Sequence, residues 1–502
     1  MNETTTSAAL DPGRWTSILS GAISSNATIR SGNAVTYLID GQPTFTEMVR
    51  AIGTATGAEH YIYLLGWQLV DDFEMVPTGA AQFKDLMTAA SARGVQIRVM
   101  LWKQYKGINK PQVDTINALP NGAAILDNET SSSTFGAHHQ KVLVIKGTDG
   151  LIGFCGGIDI NSDRIPGTAP GPSSGLSGSS GGGDDSGIAS SSSGGGGNGS
   201  PLHDVHCEIM GPAAFDVLQT FVRRWQHHPD SAAIDAAHGV LLGLSEAVPA
   251  SQSTPSSTGR SASVAIARTF TPVTSGTTVP KERDIQTLLL AAIANAQRFI
   301  YMEDQYLISP ECAAALNARI PALQHVTILI AASQISDLPC KWGYRKNFID
   351  TVTAGLSTAD AAKVRVFQLV TPPAATPPVF GSHTYVHAKM WIFDDELAVI
   401  GSANCNRRGW QSDSEANAFI WDDPLESSNP LTFAQSLRAD LWAEHLGIAS
   451  SSLTDGVASA GSWLTSSTTS CVALYDPAAD TDSGLLLCGT DLVHDKIDPP
   501  SP

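Results

Sequence analysis

Apolar positions run along this chain in short dense blocks, with helical stretches between them. "HYIYLLGWQL" (His60 to Leu69) and "RFIYMEDQYL" (Arg298 to Leu307) read as strands, because apolar and aromatic residues fill nearly consecutive positions. Each follows a helical pattern, "FTEMVRAIGTA" in one case and "DIQTLLLAAIANA" in the other. Each precedes a further helix and then a buried-type strand, "VQIRVMLW" (Val95 to Trp102) or "VTILIAAS" (Val326 to Ser333). Strand–helix–strand order at this spacing predicts an α/β sheet, and the pattern occurs twice.

A second repeated unit follows in each half. The first is "HHQKVLVIKGTDGLIGFCGGID" (His138 to Asp159) and the second "HAKMWIFDDELAVIGSAN" (His387 to Asn404). Both run His-x-Lys, apolar strand, turn, apolar strand, then Gly-Gly or Gly-Ser, one residue, and Asp or Asn. Side chains two apart on a strand share a face, so His139 projects with Lys141 and His387 with Lys389. The returning strand brings Asn404 toward the starting face. The expected fold is therefore α/β and bilobal, a pseudo-two-fold duplication of two mixed β-sheet lobes with flanking helices. Residues 1–249 would form the first lobe, 250–263 ("ASQSTPSSTGRSAS" at its core) a linker, and 264–502 the second lobe with a C-terminal tail. Within the first lobe, a stretch at about 165–200 is mostly Gly, Ser and Pro; it can bury almost nothing and reads as a flexible surface insertion.

The polar residues on these apolar ribbons suggest phosphoryl chemistry. Imidazole titrates near neutrality and serves as nucleophile or proton donor. Lysine brings fixed positive charge and an Asn amide donates hydrogen bonds, which suits oxygens that redistribute charge during displacement. Two ribbons facing each other would supply two histidines, one to attack phosphorus and one to protonate the leaving oxygen.

Composition narrows the field. The chain has 502 residues, 42 % of them hydrophobic, which allows a large core. Thirty basic against 48 acidic side chains give a net charge of −18, unfavourable for holding nucleic acid or an anionic membrane by bulk attraction. Seven scattered cysteines with no Cys-x-x-Cys pair read as buried thiols, although Cys471 and Cys488 could pair. The start "MNETTTSAALDPGRW" does not read as a signal peptide, and no window reaches the ~18 apolar residues of a membrane span. A soluble chain, cytoplasmic or peripheral to a membrane, is expected.

The ribbons resemble the phospholipase D superfamily, whose signature is His-x-Lys, four residues, Asp, six residues, then Gly-Ser or Gly-Gly, one residue and Asn. His387, Lys389, Asp394, Gly401, Ser402 and Asn404 match it. "RTF" (Arg268 to Phe270), "YMEDQYLIS" (Tyr301 to Ser309), "LWAEHLG" (Leu441 to Gly447), "HHQK", "GGID" and "HDVHCEIMGPA" (His203 to Ala213) are similar to segments of eukaryotic-type phospholipases D. The first copy departs from the pattern. Lys146 stands five after Lys141, and Asp149 lies three further on, as in a turn with a three-residue insertion. Asp159 stands where the other copy has Asn404.

The resemblance implies hydrolysis of a phospholipid headgroup, phosphatidylcholine-type to phosphatidic acid, with transphosphatidylation to an alcohol. His139 would be the nucleophile and His387 the general acid, with Lys141, Lys389 and Asn404 on the phosphoryl oxygens. Asp394, and Asp149 as its nearest first-lobe equivalent, would support the site. Glu415 and Asp204 would orient the histidines. Asp159, Ser402, Gln305 and Glu303 would border the substrate. No metal and no cofactor are expected in the chemistry. The expected partner is a phospholipid at a membrane or micelle surface, met by a monomer, with no nucleic acid involved; "LWKQYKGINK" (Leu101 to Lys110) and "TPPAATPPVFGSHTY" (Thr371 to Tyr385) are candidate surface-contacting loops. The competing readings are an endonuclease or another phosphodiesterase of the superfamily, and a catalytically weakened lipid-binding descendant.

Overall fold

The computed structural model describes residues 10–24, 26–77, 79, 81–103, 106–128, 136–165, 202–252, 260–271, 281–331, 341–370, 384–422, 431–465, 469–477 and 498. The body of the Gly/Ser segment (166–201), part of the expected linker (253–259), most of the loop 371–385 and Cys488 lie outside them.

Eighteen strands are described. In the first half they are β1 (Ile29–Ile39), β2 (Tyr61–Gly66), β3 (Gln96–Trp102), β4 (Gly122–Asp127), β5 (Val142–Gly147), β6 (Gly150–Gly156), β7 (Leu202–His203) and β8 (Val205–Met210). In the second they are β9 (Arg260–Phe270), β10 (Glu282–Arg283), β11 (Phe299–Asp304), β12 (His325–Ile330), β13 (Val364–Leu369), β14 (Tyr385–Val386), β15 (Lys389–Phe393), β16 (Leu397–Gly401), β17 (Glu415–Asp422) and β18 (Val472–Leu474).

The strand order shows the duplication directly. Outward from the centre, one half runs β1-β8-β6-β5-β2-β3-β4 and the other β9-β17-β16-β15-β11-β12-β13, with β18 at the far edge. In each half the last three strands are parallel to one another, and the hairpin beside them is antiparallel. The lobes are not two separate sheets. β1 and β9 pair antiparallel at the centre, so each covers the other's edge and one 16-stranded mixed sheet results. We propose that the lobe boundary falls in the 250–263 stretch, where the chain passes from the first half into β9.

Most strands are buried on both faces, as their unbroken apolar runs require. One face carries a core that spans both halves, with Val144, Ile266 and Met390 packed beside the helices Ala214–His227 and Phe433–Leu446. On the opposite face each half has its own core. Phe45, Met48 and Met87 belong to the first, and Leu288, Leu289 and Cys312 to the second. The short helix Arg14–Ala22, though N-terminal, packs Trp15 and Leu19 into the second core. No helix among the described residues is long and apolar enough to cross a membrane, and Cys471 is a free thiol.

Candidate active site

Each His-x-Lys pair stands where a hairpin begins, at the end nearest the other lobe. Lys389 opens β15, and its buried ammonium donates to Gln305 Oε1 (2.7 Å) and to the carbonyl of His387. Gln305 follows β11 and donates in turn to the Tyr385 hydroxyl at 2.7 Å. In the first lobe, Lys141 donates to the His139 carbonyl at 3.0 Å and lies 3.2 Å from Asp159 Oδ2. Trp67, at the position of Gln305, offers its ring face to Lys141 at 5.6 Å and its edge to the His139 ring. Asp159 Oδ1 also accepts the backbone N–H groups of Trp67 (2.9 Å) and Gln68 (3.3 Å).

The orienting carboxylates are exchanged between lobes. Glu415, at the start of β17, holds His139 Nδ1 with both oxygens, at 2.9 and 3.1 Å. Asp204, just before β8, holds His387 Nδ1 at 2.6 Å. The backbone explains the crossing. β7 pairs in parallel with β14, so the His203 carbonyl accepts the N–H of His387 (2.8 Å) and of Ala388 (3.1 Å). Equivalently, His138 and Ser414 form a bridge, and the Ser414 carbonyl accepts the His139 N–H at 3.0 Å. Each lobe thus extends the segment before its last long strand across to the partner's histidine.

The Gly-Gly and Gly-Ser pairs leave room for this. A side chain on Gly156 would meet His206 Nδ1 at 2.4 Å, and one on Gly401 would meet Asn417 Oδ1 at 2.0 Å. His206 and Asn417 are equivalents that accept the N–H of Ile158 and of Ala403. Gly157 leaves space for the Asp204 carboxylate, which a Cβ would approach to 2.1 Å. Ser402, at the same place in the other copy, instead donates its hydroxyl to Glu415 and accepts the N–H of Ala416.

The two ribbons share one electrostatic environment. Burial holds His387 well below the ordinary imidazole range, and Lys389, Arg164, Lys141 and His139 add to the effect in that order. Burial also raises the Asp204 carboxyl, against the pull of Lys389 and Arg164. Arg164 escapes a reading by motif, since it sits after "GGID" at the mouth of the Gly/Ser segment. It is buried, pairs with Asp163 at 3.1 Å, and has an Nε with no hydrogen-bond acceptor among the described residues. Asn161, which caps the short turn Ser162–Arg164, was the available signal.

Several residues expected at the site lie elsewhere. Asp394 is at the far end of β15, in a hairpin turn with φ of 61°. Its carboxylate accepts the backbone N–H groups of Gln297, Arg298 and Phe299 at 2.6–2.9 Å and pairs with Arg14, so it ties the hairpin to β11. Asp149 does not reproduce this. Residues 146–151 occupy the space of 394–396, a loop three residues longer, and carry Asp149 outward. It is half exposed there, 3.6 Å from Arg50. Ser402 faces Glu415 rather than the cleft. Glu303 is fully buried behind the site, between His203 and His445. His139, Lys141, His387, Lys389, Glu415, Asp204, Asp159 and Gln305 are brought together. Asn404 is buried after β16, in the equivalent position to Asp159.

A duplicated mixed sheet whose paired His-x-Lys hairpins face one another defines a two-lobed His-x-Lys protein. The family model described as Phospholipase D matches residues 54–337, more than half of the chain, and one described as Cardiolipin synthase, PLD-like domain matches residues 289–441. The chain belongs to the phospholipase D family. It is 22 % identical to phospholipase D alpha 4 of Arabidopsis thaliana over 78 % of this chain and 62 % of that protein. It is 24 % identical to phospholipase D A of Dictyostelium discoideum over 83 % of this chain and 36 % of that protein. The chain therefore spans less than two thirds of these relatives. The fold is similar to the crystal structure of phosphatidylserine synthase from Haemophilus influenzae Rd KW20, with a TM-score of 0.51, 13 % identity, and coverage of 86 % of this chain and 89 % of that one.

Proposed function

We propose that the protein is a phosphodiesterase that cleaves phospholipid headgroups, releasing an alcohol such as choline and leaving phosphatidic acid, and that it passes the phosphatidyl group to other alcohols. The observation that carries this reading is the pair of imidazoles, each held at Nδ1 by a carboxylate of the other lobe and each accompanied by a buried lysine. A bound Nδ1 leaves Nε2 to do chemistry. His139 Nε2 attacks phosphorus and the P–O bond to the headgroup breaks. His387 gives a proton to the departing oxygen, then takes one from water or an alcohol, whose oxygen displaces His139. Lys141, Lys389, Arg164 and Asn404 bind the phosphoryl oxygens, and Gln305 orients Lys389. Glu415 and Asp204 are positioning residues.

Burial and three cations hold His387 neutral in the free site. The phosphodiester anion offsets those cations, so substrate arrival favours its protonation. The same neutrality also suits a nucleophile, and this supports a second reading with the two histidines exchanged. The match to relatives named phospholipase D supports the substrate class.

The test is choline release from phosphatidylcholine with and without ethanol, beside a plasmid-nicking assay. Choline release with phosphatidylethanol formed in ethanol is expected. Nicking without choline release would move the substrate to nucleic acid.

A further inference from the structure

Three segments, "HDVHCEIMGPA", "YMEDQYLIS" and "LWAEHLG", converge behind His387, and no catalytic step uses His203, Glu303, Glu444 or His445. Glu303 takes His203 Nε2 on one oxygen (2.8 Å) and His445 Nε2 on the other (3.0 Å). Tyr301 donates its hydroxyl to the same carboxylate. One acid thus fixes two imidazoles edge to face, with ring centres 4.8 Å apart. His203 Nδ1, on the ring side away from Glu303, comes within 4.0 Å of Glu444 Oε2.

His203, Glu444 and His445 each offer a ligand atom within 4.8 Å of the other two. His203 Nδ1 lies 4.0 Å from Glu444 Oε2, a buried oxygen that accepts no hydrogen bond among the described residues. Asp40 Oδ1, which accepts the N–H of Asp204 at 3.0 Å, is 3.1 Å from the same Nδ1 and offers a fourth oxygen. We propose that His203, His445 and Glu444, with Asp40 beside them, bind a divalent ion of the zinc type that staples the two lobes together behind the active site.

Three arguments converge on this. Imidazole nitrogen with carboxylate oxygen is a donor set that suits zinc. A tetrahedral shell with bonds of about 2.0–2.2 Å sets its ligand atoms about 3.4 Å apart, so small side-chain movements close the cluster. Metal-bound imidazoles characteristically give their other nitrogen to a carboxylate, and Glu303 serves both. The ligands are dispersed from Asp40 to His445, so no local spacing in the sequence reveals them.

The site has a consequence for the catalytic residues without touching the phosphoryl group. His203 lies on β7 of the first lobe. Glu444 and His445 end the helix Phe433–Leu446 of the second, which a capping box at Thr432 opens and Gly447, with φ of 65°, closes. The His203 carbonyl holds the N–H groups of His387 and Ala388, and the next residue is Asp204. An ion here fixes the segment that brings Asp204 to His387.

The experiment is metal analysis of the whole chain by mass spectrometry, as purified and after zinc loading and desalting, beside the Glu444→Gln variant. About one zinc per chain is expected in the wild type. Glu444→Gln should bind zinc at least about a hundredfold more weakly, with an unchanged circular dichroism spectrum. Cobalt loading should give visible d–d bands in the wild type alone, and zinc should raise the Tm of the wild type alone. Zinc retention that is negligible in the wild type, or equal in the two proteins, would overturn the proposal. These readouts are independent of phosphodiesterase activity, so a catalytically inactive protein that binds zinc would overturn only the proposed function.

Discussion

The first ribbon sets Lys141 against the carboxylate of Asp159 and the face of Trp67, whereas the second sets Lys389 against the amide of Gln305. The carboxylate is not missing from the second lobe; it enters from the other side of the hairpin. Asp304, equivalent to Gly66, accepts the N–H of Cys405, just after Asn404. In the first lobe Asp159 reaches back to the N–H groups just after Gly66. The same hairpin-to-strand tie is therefore built in opposite directions, and in the first lobe its acid also lies 3.2 Å from the lysine. Duplication preserves the scaffold and lets the two copies differ in charge.

The crossed carboxylates offer the largest effect. Asp204→Asn should cripple His387 and Glu415→Gln should cripple His139, each lowering kcat by about 10²–10⁴ because the imidazole loses its orienting partner. The comparison breaks if double-variant cycles couple each acid to the histidine of its own lobe. It is sharpened if Asp204→Asn adds little to His387→Ala and Glu415→Gln adds little to His139→Ala.

The two turn aspartates should differ in stability rather than catalysis. Asp394→Asn should cost about 2–3 kcal/mol in denaturant unfolding, since it disturbs a buried carboxylate bound to three backbone N–H groups and Arg14. Asp149→Asn should change stability by less than about 0.5 kcal/mol, as the Asp149–Arg50 pair is about half exposed and 3.6 Å apart. Neither variant should reduce kcat by more than about twofold, because neither group reaches the cleft.

A difference that shows only with pH concerns His206 and its equivalent Asn417. Burial pushes His206 from 6.5 down to about 3, with Asp159 drawing it up and Lys141 down. Between those values the unfolded chain binds a proton that the native state refuses, so this residue's contribution falls as pH drops from 6.5 toward 3. His206→Asn, the second lobe's solution, should reduce that loss by up to about 2 kcal/mol near pH 5, read from urea unfolding at pH 7 and pH 5. An equal decline in both proteins would mean that another group governs it.

Much of this was legible in the chain. The dense apolar blocks gave the strands, the repeat gave the two lobes, and His-x-Lys spacing placed both lysines beside their histidines. The three-residue difference between the turns at 146–151 and 394–396 also followed from counting. What escaped was long-range. Counting along the signature assigns Asp394 to the site, but five residues of strand carry it to the opposite end of the hairpin. The exchange of Glu415 and Asp204 depends on which segments pair across the lobe junction, and no local pattern encodes that. Arg164 and Trp67 belong to no motif and reach the site only because loops after β6 and β2 fold over it. Glu303 shares a face with Gln305, yet one lines the cleft and the other lies behind it.

The central claim is that two histidines act in one site with unequal, sequential roles, and the position of the covalent phosphate tests it most directly. His387→Ala, given a phosphodiester with a p-nitrophenolate leaving group, should still be phosphorylated, because such a group hardly needs an acid. It should then stall, because no base remains to activate water. Mass spectrometry after acid-free digestion should find the phosphate on His139, and His139→Ala should carry none. A phosphate on His387 in His139→Ala would contradict the assignment, and near-wild-type turnover of phosphatidylcholine by both single variants would contradict the shared site.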